Sequence, residues 1–417
     1  MEELVKENEA LRASCKRWKR KFKQEVQVNK ELGRRVAEWK HACEQARLDN
    51  TTVNKVDEVD LAELDDVDIS DDFSSVIQSV VELSQDGVNF NWGVPCNDIR
   101  QFCYPDREPI SSAREPFAFV LSGGPITPMK QEISCLDGAV YGLCVDISET
   151  SCMCVLSRRP FLKLFVELCR QLIPQSSQER IQTLEVFKIE EECDIDKLLA
   201  EWGHSYLLEQ VSLDQLIFLL GCLLLEVKVV VVSKNPGNVS GFMLGLLPLL
   251  RPLQWVQPFI PLLPHALSVA SESPIPVLIG ACSVPDSMKP EALNANTKQE
   301  AVLLVLDTGE LQLSPALAES YHTLNLPGLS QIYHRVVSNR GQFERIILEH
   351  ISNLLQTCRY FGHAVKTFAE GKSSLSQESV DEKLQELLPI LGRGAAPWEF
   401  LLRLQTTQMY IQWSLKK

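Results

Sequence analysis

Leu216-Ile217-Phe218-Leu219-Leu220-Gly221-Cys222-Leu223-Leu224-Leu225, then Glu226-Val227-Lys228, then Val229-Val230-Val231-Val232: the reading of this stretch decides the fold. A long apolar block, a charged break and a β-branched block predict a buried helix that feeds directly into a central strand. Outward from it come a second apolar stretch at 242–250 and the segment Trp255-Val256-Gln257-Pro258-Phe259-Ile260-Pro261-Leu262-Leu263-Pro264. Two short apolar runs follow, 274–280 closed by Gly280 and 301–307 closed by Asp307. Both read as further strands of one α/β sheet.

Length and composition set the frame. The 417 residues suffice for two or three folded units or one large bilobal one. A hydrophobic content of 45% and a charged content of 23% are those of an ordinary globular protein. The net charge of −14 argues against nucleic acid as the main partner, because that role needs clustered Lys and Arg. The thirteen cysteines stand singly apart from Cys152 and Cys154. No C-x-x-C pair occurs, so the linear spacing of a structural zinc site is missing. Reduced, mostly buried thiols in a cytosolic protein are expected. Met1-Glu2-Glu3-Leu4 opens a charged stretch with no apolar signal core. No run approaches the roughly 20 apolar residues of a membrane span.

The first fifty residues form a separate unit. Leu4, Asn8, Leu11, Cys15, Trp18, Phe22, Glu25, Asn29, Leu32, Val36, Trp39, Cys43 and Ala46 alternate in steps of four and three. That is a heptad seam held for about six heptads. Asn8 and Asn29 at a positions favour a two-stranded, in-register pair, while Glu25, Gly33 and the charges of Arg35 and Lys40 weaken it. The expectation is a modest coiled coil, homodimeric or heterotypic; the other reading is one amphipathic helix docked on the protein's own body. Lys16, Arg17, Lys19, Arg20, Lys21 and Lys23 make a basic block that fits either an anionic lipid surface or a solvated helix face. Residues 57–72 then turn strongly acidic, the pattern of a self-repelling, disordered linker.

The globular part is expected from about residue 87. Residues 92–104 are turn-rich, and strands are predicted at 117–121, 141–147 and 152–156. An amphipathic helix is predicted at 161–172 behind Pro160, whose missing N–H is harmless there. Residues 174–183 read as a polar connection. Helix is expected over 329–355, a Ser-rich loop over 371–379 and one final helix over 398–415.

Three ordered segments carry a family resemblance. Phe102-Cys103-Tyr104-Pro105, Phe117-Ala118-Phe119-Val120-Leu121 and Tyr141-Gly142-Leu143-Cys144 resemble the upstream, longin-like part of the DENN module. Ser157-Arg158-Arg159-Pro160-Phe161-Leu162-Lys163-Leu164-Phe165 is similar to the family's S-x-x-P-F-F-x-x-F element, with Leu162 in place of the second Phe. The run from Leu216 through Ser233, with Trp255, Pro258, Pro264, Pro276, Gly280 and Asp307, resembles the central part. The closing helix, with Thr407-Gln408-Met409-Tyr410, resembles the downstream part. The resemblance covers about residues 90–415.

What it implies is an α/β, bilobal DENN fold: a longin-like lobe, then a larger α/β lobe with C-terminal helices, preceded by the coiled-coil helix. The expected boundaries are 1–50 for the coiled coil, 51–86 for the acidic linker, 87–174 for the upstream lobe, 175–325 for the central lobe and 326–417 for the downstream helical part. The implied activity is guanine-nucleotide exchange on a Rab-family small GTPase in vesicle trafficking, without covalent chemistry, cofactor or metal. Such a protein would be cytoplasmic, with a peripheral place on vesicle or endosomal membranes. The alternatives are a GTPase-activating protein of longin–DENN type and a non-catalytic Rab-binding adaptor. In activating relatives an arginine finger precedes the strand equivalent to 141–147; here Leu136-Asp137-Gly138-Ala139-Val140 has no Arg, leaving only Arg158 to approach from elsewhere.

No catalytic residue is assigned, and the GTPase-binding residues are unknown. Pro264, Pro276 and Gly280 answer backbone needs, Trp255 reads as core, Glu226 as the solvated end of a helix, and Arg158 and Arg159 as exposed at a helix start. Other chemistry fits poorly. Gly371-Lys372-Ser373 ends like a phosphate-binding loop, but Lys366 takes the place of its first Gly. Gly203-His204-Ser205-Tyr206-Leu207 lacks the closing Gly of a nucleophile elbow. Of the seven histidines none forms H-E-x-x-H, and His334, His350 and His363 read as helix-surface residues.

Overall fold

The computed structural model describes residues 77–84, 87–93, 99–105, 114–121, 138–187, 189, 194–295, 299–321, 324, 326–369 and 396–415. They all fall in one compact unit, Phe73–Lys417. The coiled-coil seam, its basic block, the acidic stretch and the Ser-rich loop lie outside the described residues.

Two five-stranded sheets organise a mixed α/β fold. The first is antiparallel throughout: β1 (Ile77–Ser84), β2 (Gly87–Gly93), β3 (Phe117–Leu121), β4 (Val140–Ser148) and β5 (Ser151–Ser157), in the order β2-β1-β5-β4-β3. β5 is central and buried at every position, whereas the edge strand β2 is largely exposed. β1 falls inside the stretch assigned to the linker. Its Ile77, Val80, Val81 and Leu83 are buried, so the folded part starts before residue 87. The short helix α1 (Arg100–Cys103) leads toward β3. Helix α2 (Leu162–Leu172) buries Leu162, Phe165, Val166, Leu168, Cys169 and Leu172, the three-and-four spacing of a single apolar stripe.

Residues 174–183 are not a connection. Helix α3 (Ser177–Val186) begins there because Ser176 and Glu179 form a reciprocal capping box, with Ser176 N–H donating to Glu179 Oε2 at 2.8 Å. The polar composition is that of an exposed helix.

The second sheet contains β6 (Lys228–Val232), β7 (Phe259–Leu263), β8 (Leu278–Ala281), β9 (Ala301–Val305) and β10 (Glu310–Leu313), ordered β10-β9-β6-β8-β7. β7, β8, β6 and β9 run parallel, and β10 returns antiparallel. Helices α4 (Ile195–Gln210), α5 (Leu213–Leu224) and α6 (Pro236–Leu246) accompany it, with a 3-10 turn at Leu247–Leu250. Ser212 and Gln215 cap α5 reciprocally. The valine run of β6 is buried on both faces. Val229 and Val231 join the main core, while Val230 and Val232 join a second cluster with Ile279, Met288, Leu293 and Leu303. Successive side chains alternate between faces, so a strand covered on both sides must be continuously apolar. β8 starts at Leu278 rather than 274, since Pro274 and Pro276 cannot donate to a ladder.

Small helices α7 (Pro290–Ala295) and α8 (Pro315–Glu319) precede the downstream group. The single helix expected over 329–355 is two, α9 (Leu329–Ser338) and α10 (Phe343–Ala369), parted by a 3-10 turn at Arg340–Gln342. The final helix is likewise two, α11 (Ala396–Leu404) and α12 (Gln408–Leu415). Thr407 Oγ1 donates to Leu404 O at 2.7 Å and accepts from Tyr410 N–H at 3.3 Å, so its hydroxyl ends one helix and starts the next. His350 is buried rather than on a surface, its Nε2 lying 2.6 Å from Pro327 O; His334 is exposed as expected.

Candidate functional site

In a parallel α/β sheet, ligands and partners meet the carboxyl ends of the strands, where the chain order reverses. Here β6 ends at Val232 between β8 and β9, and Ser233-Lys234-Asn235 carries the chain into α6. Asp307, just beyond β9, holds this turn. Its Oδ1 accepts from Ser233 Oγ at 2.5 Å and its Oδ2 from Lys234 N–H at 2.9 Å. Asn235 Oδ1 accepts from Gly237 N–H at 2.9 Å and caps the start of α6. The Lys234 side chain is left exposed beside it.

The first sheet reaches the same corner. β3 lies against α6 and β7, and Ala118 N–H donates to Ser240 Oγ of α6 at 3.1 Å. A Cβ on Gly237 would come within 2.9 Å of Glu115 Cβ, so the residues before β3 sit directly on the start of α6. Those residues are fixed by Arg114. Its Nη2 and Nε donate to the two Asp146 oxygens at 2.8 and 3.0 Å, its Nη2 also reaches Cys103 O at 3.2 Å, and its guanidinium lies 4.8 Å from the Phe117 ring centre. Burial alone would make the Arg114 guanidinium easier to deprotonate; the two-pronged carboxylate of Asp146 outweighs that and raises it above its ordinary value. The candidate site is therefore a composite edge: Arg114–Pro116 from one sheet and Ser233–Gly237 with Asp307 from the other.

Ser233, Asn235 and Asp307 are engaged in holding its backbone, while Lys234 and Glu115 are exposed. The Ser233 hydroxyl donates to the Asp307 carboxylate, the buried His350 lies against Pro327 O, and the half-buried His204 pairs with Glu344 Oε2 at 3.4 Å. The Ser233–Asp307 pair and the Asn235 cap thus set the course of the backbone along this edge.

The residues singled out from sequence divide clearly. Trp255 is core, 2% exposed, with Nε1–H donating to Pro258 O at 3.4 Å. Gly280 is needed because a Cβ there would sit 2.2 Å from Pro261 O, between β8 and β7. Pro264 is buried and opens a 3-10 turn. Arg158 and Arg159 are exposed ahead of α2, as expected. Glu226 is not a solvated helix end. It adopts a left-handed backbone (φ 52°) and its Oε1 accepts from Met409 N–H at 2.8 Å, capping α12. Burial pushes its carboxyl above the usual range, against the opposing pull of the α12 backbone N–H groups. Arg114 and Asp146 went unread; a lone Arg ahead of Glu115-Pro116 and an Asp near a strand end carry no periodic mark.

Residues 196–309, from the second residue of α4 to the β9–β10 turn, match the family model of the DENN (AEX-3) domain. The chain is also similar to two curated relatives. It is 34% identical over 108 residues to the MAP kinase-activating death domain protein of Caenorhabditis elegans, covering 25% of this chain and 8% of that protein. It is 29% identical over 163 residues to the MAP kinase-activating death domain protein of Mus musculus, covering 36% of this chain and 10% of that protein. The similarity thus spans a tenth or less of those relatives' length. No helix among the described residues is long and apolar enough to cross a membrane.

Proposed function

Residues 196–309 of this chain belong to the DENN-domain family, and from that premise we propose that the protein is a guanine-nucleotide exchange factor for a Rab-family small GTPase. In this reading the first sheet is a longin-like lobe, and the second sheet with its downstream helices is the larger lobe. The GTPase docks across the edge where Arg114–Pro116 meets Ser233–Gly237. The observation that carries the reading is the seating of β3 on α6 and β7, fixed by the Ala118–Ser240 hydrogen bond, beside the carboxyl end of a DENN-type parallel sheet.

The work done is differential binding. A partner that holds the nucleotide-free GTPase more tightly than the GDP-bound form shifts the equilibrium by that difference alone. The switch segments that nucleotide and Mg²⁺ keep ordered are drawn onto the protein surface instead. Each 1.4 kcal/mol of preference for the empty state enriches it about tenfold. No covalent bond is made, so the saturated Ser233–Asp307 pair is a fitting component: it needs only to hold its shape.

The test is release of fluorescent GDP from a panel of purified Rab proteins with the full chain present. Faster release from at least one Rab is expected, with loss of the effect on charge reversal at Lys234. Faster GTP hydrolysis instead would favour an activating protein, and binding with neither effect an adaptor; either outcome overturns the proposal.

A further inference from the structure

Four cysteines collect on one face of the first sheet. Cys144 of β4 and Cys154 of β5 are direct cross-strand partners, and Cys103 closes α1 beside them. The Sγ atoms of these three lie within 4.8 Å of one another, with Cys103 and Cys144 3.4 Å apart. Cys152, two residues before Cys154 along β5, falls on the same face of the sheet, outside the close trio. All four are buried.

Zinc–thiolate bonds of about 2.3 Å in a tetrahedron require sulfurs roughly 3.8 Å apart. The spacing of the trio brackets that value. Neighbouring thiols gain little from each other, because S–H is a weak donor and sulfur a weak acceptor. Valine or alanine would pack a core of this kind as well. The arrangement also places one guanidinium nearby: Arg114 Nη2 donates to Cys103 O, and its charge offsets the negative charge that four thiolates would bring. A staple has a mechanical purpose here, since α1 has only four residues and a helix that short has no stability of its own.

We propose that Cys103, Cys144 and Cys154, with Cys152 turning in from the same face as the fourth ligand, form a structural zinc site that fastens α1 to the β4–β5 hairpin. Each thiol gives up its proton as its sulfur takes a position around the ion, with no change of oxidation state. The ligands come from three separate elements, so no C-x-x-C spacing announces them. The site is independent of the GTPase reading: it tightens the first sheet whatever that sheet binds.

The full chain, purified without chelator, is expected to hold about one zinc ion by elemental analysis. Zinc-stripped protein titrated with cobalt(II) should develop sulfur-to-cobalt charge-transfer bands and the visible bands of a tetrahedral thiolate site. Cys154→Ala and Cys152→Ala should each lose or weaken them, while Cys222→Ala, in α5, should leave them intact. Absence of these bands in the wild-type chain overturns the site even if a variant fails to fold. So does full zinc retention in folded Cys154→Ala, or a Cys103–Cys144 disulfide detected by mass in protein kept under reductant.

Discussion

Arg180 shows how much one side chain can hold. It is buried in α3, whose other residues, Leu184 and the half-buried Thr183 apart, are exposed. Its Nε donates to Leu172 O at 2.9 Å and its Nη2 to Ile173 O at 3.1 Å; its Nη1 pairs with Glu82 of β1; and its guanidinium lies 5.4 Å from the Phe90 ring centre. It thus ties the end of α2 to β1 and β2. Arg180→Met should cost about 3 kcal/mol, because it strands a mostly buried carboxylate and two carbonyls. Arg180→Lys should recover less than half, since an ammonium cannot reproduce the planar fork. Urea denaturation of the three proteins measures this, and a methionine variant as stable as wild type would refute the assignment. Nothing in the sequence marks this residue. Its segment reads as a polar connection and its partner stands 98 positions away; periodicity reports a face, not an isolated charge turned inward.

Among the elements, α4 and α6 meet backbone to backbone. They cross where Gly203 faces Gly245, and a Cβ on Gly203 would lie 2.3 Å from Gly245 Cα. Neither backbone can yield without moving its helix off the sheet, so the crossing tolerates only glycine. Gly245→Ala is expected to lose about 2 kcal/mol and Gly245→Val about 3 or more, read as successive drops in melting temperature. Melting curves that superimpose on wild type would mean that the helices do not meet in this way. Elements were the most legible level of this chain. The α5–β6 pair, β3, β4, β5 and α2 follow directly from apolar period and length. What was missed has local causes: β1 sits behind an acidic block, α3 is polar because it is exposed, and the breaks at Arg340–Gln342 and Thr407 depend on caps rather than on hydrophobic pattern. The composite edge was hardly legible, as it is assembled by contacts across 122 positions, such as that of Ala118 with Ser240.

At the scale of the whole molecule, acid should loosen the downstream helices. Burial lowers the imidazole of His350 below its ordinary value despite its bond to Pro327 O, and burial also lowers His204 against the pull of Glu344. Both are held neutral in the folded state, so the unfolded chain binds more protons once pH falls below about 6.5. Their stabilising share is complete above that value and is lost progressively as pH drops toward the lowered folded values. Melting temperature should therefore fall between about pH 7 and 5.5, with a shallower slope in His350→Gln; identical slopes in variant and wild type would exclude this histidine as the source. The Glu226 carboxylate has a further consequence, in time rather than in space. It leaves the ribosome 183 positions ahead of the Met409 amide that it caps, and domains fold as their parts emerge. Until that amide arrives, a half-buried carboxylate lacks its cap and the surface that buries Met409, Tyr410 and Trp413 stands open, so the nascent chain carries an unfinished, adhesive face while 183 further residues are made.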